Sequence, residues 1–394
     1  MQTRVVALAV AVLLVAGVAG VAVHQGPRRA APVVVAGATT TSSTTALPPA
    51  LAALITDLEH YVERTRGLTF QRPVPVTLLS EKEFKKRIDA QSQIDKATAD
   101  KNTRVLRALD LVPAGTDLAK SQKSLLSAAV AGFYDIKAKQ LVVRGAKPTP
   151  AVRQVLVHEL THAVQDQHFN LDRSDLSKKD DESDQAWTGL VEGDAVRVQD
   201  AYVASMSAKD QAAVSAEESD QAQQISPDIP QILLQLLGFP YQVGPGFTKA
   251  VLAAGGQARL DAAFASPPST SEQLIHPDKY LAGEGAIPVA DPPANGKVID
   301  RGVFGEFGFI LQLEGTPGLT EDAVLRAAAG WGGDRYVAWD EASRTCVRVD
   351  TRMDTPRDLD ELRAALAKWV ARHPGSTLTG GASADSPLRF TSCA

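Results

Sequence analysis

The sequence predicts an α+β fold, mainly helical, with a small edge sheet and an α/β lobe toward the C-terminus. Three observations carry this. Between residues 50 and 225 apolar residues recur mostly at helical spacing, as in Leu51, Leu54, Ile55, Leu58 and Val62. Strand signals in that span are confined to two short stretches, 72–79 and 130–144. From about residue 290 short strand and helix patterns alternate. The chain has 394 residues and is 44% hydrophobic, enough beyond its leader to bury a full core in lobes around a cleft. A net charge of −5 provides no basic footprint for nucleic acid, so a nucleic-acid partner is not expected.

Taken in order, residues 1–24 read as a signal peptide or membrane anchor. Arg4 precedes 19 uncharged, mostly apolar residues, Val5–Val23. This predicts that the N-terminal segment engages a membrane and that the bulk of the chain is exported, to the extracellular space or the cell surface. Residues 25–49 are a linker; Ala36 to Pro49 is a Thr/Ser-rich run with too little apolar surface to fold. Residues 50–149 form an N-terminal lobe. It opens with a helix up to Gly67, continues with a strand at Arg72–Leu79 pushed toward an edge by its prolines, and opens another helix at the capping box Ser80/Glu83. Residues 84–131 are largely helical, and Val130–Arg144 reads as a hairpin with Asp135–Lys139 as its turn.

Residues 150–289 contain the chemistry. Thr149 and Pro150 start a helix in which Val152, Val155, Leu156, Leu160, Ala163 and Val164 are spaced for burial. On it lies His158-Glu159-Leu-Thr-His162. Residues four apart differ by about 40° in direction and about 6 Å along the axis, so the two imidazoles can share one ion. Glu159 faces a water on that ion without having to bind it, which suits a general base. Two histidines and a glutamate on an apolar helix need a counterpart, and Zn²⁺ provides one.

His158-Glu-Leu-Thr-His162-Ala-Val-Gln-Asp166 resembles the active-site helix of the thermolysin-like, gluzincin group of zinc metallopeptidases, and the layout is similar to secreted neutral metallopeptidase-like proteins of bacteria. The resemblance implies a zincin-like catalytic unit with a second ligand helix that delivers a glutamate. Here Trp187-Thr-Gly-Leu-Val-Glu192-Gly-Asp194-Ala is the counterpart, with Glu192 as third metal ligand and Thr188, Gly189, Ala195 and Gln199 along the same helix face. Lys178–Asp184 reads as the charged loop before this helix. The group's Asp four residues after the ligand Glu is Val196 here, and Asp194 or Asp200 is the substitute partner for a zinc histidine. His168 is a rival third ligand by the metzincin spacing, but Gln165 stands where that pattern has its turning glycine. The resemblance further implies that the hairpin rims the cleft as an edge for an extended peptide. A purely structural hairpin is the other reading.

Downstream, Ser207–Ile225 is a polar helix or lid, and Pro230–Tyr241 is an apolar wall or cover. The Ser/Thr-rich turn ending at His276-Pro277 resembles a gluzincin segment whose histidine donates to the oxyanion, which makes His276 a catalytic candidate beside Glu159. Residues 290–394 form the α/β lobe: strands at Lys297–Arg301, Trp331–Trp339 and Thr345–Val349, and a helix at Thr355–Ala371. Asp334 and Arg335 read as an ion pair holding the glycine turn. In an exported chain the two cysteines, Cys346 and Cys393, form one disulfide. The implied activity is hydrolysis of peptide bonds in a peptide or protein substrate, by an endopeptidase rather than an exopeptidase. Two alternatives remain: a non-catalytic exported zinc-containing binding protein, and a zinc amidase acting on a cell-wall component.

Overall fold

A computed structural model describes residues 47–91, 96–129, 132–145, 148–381 and 386–394. The leader and most of the Thr/Ser linker lie outside the described residues. Among those described, no helix is long and apolar enough to cross a membrane. The fold is α+β.

In chain order the elements are α1 (Pro49–Arg66), β1 (Val76–Leu79), α2 (Glu81–Gln91), α3 (Lys96–Ala108), α4 (Leu118–Ala129), β2 (Gly132–Asp135) and β3 (Gln140–Arg144). They continue with α5 (Pro150–Phe169), α6 (Ser174–Lys179), α7 (Asp181–Ser205), α8 (Ala208–Gln224), α9 (Gln231–Ala265), α10 (Ser271–Ile275) and α11 (Pro277–Ala282). The remainder is β4 (Lys297–Gly302), α12 (Gly305–Leu313), α13 (Glu321–Ala328), β5 (Trp331–Glu341), β6 (Arg344–Met353), α14 (Pro356–Val370), β7 (Thr377–Gly380) and β8 (Leu388–Cys393). These elements fall into two compact units. One takes the described residues up to 93, Leu125–Arg173 and Ala195–Ile225; the other takes those of 94–124, Ser174–Asp194 and Ser226–Ala394. The division falls inside α7, which is one unbroken helix.

The first unit is built around α5. Leu51, Ile55, Leu58 and Val62 form the buried stripe of α1, which ends where Gly67 takes a left-handed conformation (φ 78°) and caps the carbonyl of Glu63. Leu58 and Val62 share a core with Leu156, Leu160, Ala163 and Val164 of α5. The sheet has the order β1-β3-β2, with β1 parallel and β2 antiparallel to β3. The prolines before β1 fit its place at an edge. The Ser80/Glu83 capping box forms: the Ser80 N–H donates to Glu83 (3.1 Å), and the Glu83 N–H donates to the Ser80 hydroxyl (3.4 Å). The hairpin turn is held by Asp135, whose carboxylate accepts from the N–H groups of Lys137 and Ala138 and from Arg87. α8 lies along α5 through Arg153–Asp210, Gln154–Glu218 and Thr149–Glu217 contacts.

The second unit carries an antiparallel sheet of order β4-β5-β6-β8-β7. Its core joins sheet residues Trp331, Val347, Val349 and Phe390 to Phe309 of α12, Val324 of α13, Leu362, Leu366 and Trp369 of α14, and Ala108 of α3. Cys346 and Cys393 form a disulfide and are directly opposed in the β6–β8 register. Gly330 enters β5 with φ 74°, the glycine turn the sequence marks.

Three expectations are corrected. The expected charged loop 178–184 is largely helix: α6 ends at Lys179 and α7 begins at Asp181. The carboxylate of Asp180 accepts from the Ser183 N–H (2.7 Å), an N-cap that starts α7 earlier than apolar spacing indicates. Second, the apolar segment from Pro230 does not stop at Tyr241. It continues as α9 through Pro240 and Pro245 to Ala265, interrupted only by the non-helical pair Gly255-Gly256. Third, Asp334 and Arg335 do not pair with each other. Asp334 is buried and accepts from the N–H groups of Phe304 and Gly305 and from the Trp331 indole, while Arg335 pairs with Asp291 (2.7 Å).

Candidate metal centre

α5 starts as its sequence dictates: the Thr149 hydroxyl accepts from the Val152 N–H (3.3 Å), and Pro150 occupies the first turn. The helix is buried from Gln154 to Asp166, on its polar residues as well as its apolar ones. His158 and Glu159 are 0% exposed and His162 is 6% exposed, so three ionisable groups sit on a helix that water barely reaches. Glu192 of α7 is 1% exposed. Ligand atoms of His158, His162 and Glu192 all lie within 4.8 Å of one another.

That donor set fits a zinc ion. Tetrahedral coordination with bonds near 2.05 Å puts donors roughly 3.4 Å apart, inside the 4.8 Å within which these atoms lie, and two nitrogens plus one carboxylate oxygen leave an open position for water. The imidazole orientations support the same chemistry. The His158 Nδ1–H donates to Gln199 Oε1 (3.0 Å), and the His162 Nδ1–H donates to Gln165 Oε1 (2.9 Å). A ring that donates through Nδ1 carries its lone pair on Nε2, the form in which neutral histidine ligates a metal. The two rings stand edge to face, centroids 4.5 Å apart.

Both glutamines are orienting partners, of the kind the sequence suggests in Asp194 or Asp200. Gln199 lies seven residues past Glu192 on the same face of α7, and Gln165 lies three past His162, so both spacings are readable in the sequence. Gln165 also decides against the metzincin arrangement, because α5 runs unbroken through it to Phe169. His168 is turned to other partners: Nε2 meets the Thr69 carbonyl (2.8 Å) and Nδ1 meets the Gln71 amide (3.4 Å).

The hairpin holds the general-base candidate. The Tyr134 N–H in β2 donates to Glu159 Oε2 at 2.7 Å, which fixes the rotation of that carboxylate. The phenol of the same residue donates to Asp166 (2.8 Å), and burial, followed by this hydrogen bond, raises its pKa. Asp166 also accepts from Lys139 (2.8 Å) and the Leu171 N–H (3.0 Å), so it ties the hairpin to the C-terminal end of α5.

His276 lies in the second unit, and its Nε2 is 3.0 Å from Glu306 Oε1. The Glu306 side chain is 1% exposed, and the hydrogen bond to it raises the His276 pKa against the opposing effect of burial. Glu306 is thirty residues further along the chain, on α12, and no spacing rule links it to His276. A second group with metal-ligating chemistry, Glu272, Glu284 and Asp354, already holds a cation of the protein. The Lys279 ammonium meets Glu272 at 2.8 Å, Glu284 at 2.5 Å, and Asp354.

Among known families, one described as a domain of unknown function, DUF8575, matches residues 289–389. That span covers β4 to β7 and the start of β8, and contains none of the residues of the His158/His162/Glu192 group. No curated protein and no solved structure matches the chain.

Proposed function

We propose that this chain is an exported zinc metallopeptidase of the gluzincin type that hydrolyses internal peptide bonds. The observation that carries the reading is the convergence of His158, His162 and Glu192 within 4.8 Å, with Glu159 on the same helix turn as His158. His158, His162 and Glu192 would hold the metal, the imidazoles with Nδ1 fixed by Gln199 and Gln165. When bound, zinc supplies an activated water of lowered pKa and polarises the scissile carbonyl.

The remaining steps belong to the chain's own groups. Glu159, steadied by the Tyr134 N–H, takes a proton from the attacking water and returns it to the departing amine nitrogen. His276, whose pKa the hydrogen bond to Glu306 raises, is the candidate donor to the carbonyl oxygen as negative charge develops there. β2 lies at an edge of its sheet beside α5, which supports the reading of the hairpin as a rim for an extended peptide. The Cys346–Cys393 disulfide supports an oxidising destination, in line with the export signal read at residues 5–23.

The test uses the full chain. Metal analysis should find one zinc per protein in wild type and in Glu159→Gln, and casein should be cleaved by wild type at least about 100 times faster than by the variant. Absence of bound metal overturns the reading. Zinc bound by both proteins, with no peptide cleaved by either, overturns the peptidase assignment and leaves a binding protein or a wall amidase.

A further inference from the structure

α7 reaches its place by bare backbone contact with α9, one residue from the carboxylate ligand. A Cβ built on Gly193 would stand 2.2 Å from the carbonyl carbon of Gly244 and 2.3 Å from its oxygen. A Cβ built on Gly244 would stand 2.2 Å from the Gly189 oxygen and 2.9 Å from the Cα and N of Gly193. Gly189 and Gly193 are four apart and share one face of α7. The atoms met are backbone, which cannot swing aside as a side chain can. Thr248 of α9, fully buried, adds a polar contact at the same place: its hydroxyl lies 3.3 Å from the Gly193 carbonyl and 3.2 Å from the Pro245 carbonyl of its own helix, and shares its one hydrogen between them.

Glycine is a poor helix former, so a pair of them in the middle of α7 calls for a reason. Packing distance supplies one. A methyl at position 244 has to move from 2.2 Å to the 3.4 Å of ordinary contact, which drives the two helices apart by about 1 Å. Metal–ligand bonds tolerate about 0.2 Å. A displacement of about 1 Å beside Glu192 is several times that tolerance.

We infer that Gly244 is a positioning residue for the third metal ligand: its contact with Gly189 and Gly193 sets the depth and rotation of Glu192. This rests on the metal-centre reading above. Gly244 touches no donor atom, and its variants speak to placement alone.

The experiment measures zinc affinity of the full chain by competition with a chromophoric chelator, and the visible absorption of the cobalt-substituted protein. It compares wild type, Gly244→Ala, Glu192→Gln and Gly246→Ala. Gly246, two residues along the same helix, has no atom within 4 Å of a built Cβ and serves as the control. Gly244→Ala should bind zinc at least about tenfold more weakly, as loss of an orienting contact does, and its cobalt spectrum should move toward that of Glu192→Gln. Gly246→Ala should match wild type. If Gly244→Ala does not fold, Gly193→Ala decides: a Cβ there meets the Gly244 carbonyl from the other side of the same contact and should weaken zinc at least about tenfold. Wild-type affinity and spectrum in Gly244→Ala, or in Gly193→Ala where only that variant folds, overturn the inference. A wild-type protein that binds no zinc overturns instead the metal-centre reading.

Discussion

Glu182, the second residue of α7, gives the protein a dependence on pH that runs against the usual carboxylate pattern. It is 4% exposed, its oxygens accept from the N–H and the hydroxyl of Ser271, and burial pushes its pKa up to about 8 despite those bonds, with Asp334 and Asp181 adding to the rise. The folded state therefore holds a proton that the unfolded chain releases near 4.5. Between those values unfolding releases the proton, so stability falls as pH rises: the contribution is fully present below about 4.5 and lost by about 8. At about 1.36 kcal/mol per pH unit, roughly 3 kcal/mol disappears between pH 4.5 and pH 7 from this group alone. Glu182→Gln keeps the shape of the protonated acid and cannot ionise. Urea unfolding at pH 5, 6, 7 and 8, in a chelator so that the metal ligands are alike in both proteins, should show a distinctly flatter pH dependence in the variant. Asp181, Asp184 and Asp334, each raised to about 6, and Glu272, raised to about 7, leave a residual slope. The same slope in both proteins refutes the argument, because Glu182 would then be ionised in the fold without penalty.

Three further outcomes are expected. Gln199→Leu, which removes the acceptor from His158 Nδ1, should weaken zinc about 10- to 100-fold in chelator competition; an unchanged affinity denies Gln199 its orienting role. Tyr134→Phe removes one of the hydrogen bonds to Asp166 and should lower unfolding stability by about 1–2 kcal/mol. It leaves the backbone N–H that holds Glu159, so zinc affinity should stay within about threefold of wild type. Opening the Cys346–Cys393 bridge, which spans 47 residues, should lower stability by about 4 kcal/mol on chain entropy, read as the difference in urea midpoint between the intact protein and a Cys346→Ser/Cys393→Ser double variant.

What could be read in the chain beforehand follows the range of the interactions. α1, α5 and the Ser80/Glu83 cap depend on residues within a turn or two of each other, and all formed at the expected places. The disulfide was legible because only two cysteines exist to make it. Within the metal group, His158 and His162 are fixed by one helical turn, whereas bringing Glu192 to them depends on how α7 packs, which was read from a resemblance. Two of the misses have local physical causes. The run of charges around Asp180 and Asp181 hid a helix start, because the cap is a side-chain hydrogen bond with no apolar signature. Pro240 and Pro245 each remove a donor and normally end a helix, yet α9 passes through both. The pairing of His276 with Glu306, like that of Arg335 with Asp291, joins residues distant in sequence through elements that only the folded chain brings together.

The strand order β4-β5-β6-β8-β7 governs when this sheet can come into being. Residues 388–393 slot between β6 and β7, so β7 has no neighbour to bond with until that stretch has been synthesised. A polypeptide still lacking it can pair β4, β5 and β6, but has nothing to join β7 to them. A chain truncated before Leu388 should therefore lose two strands of the five, β7 as well as β8, and with them the partner of Cys346.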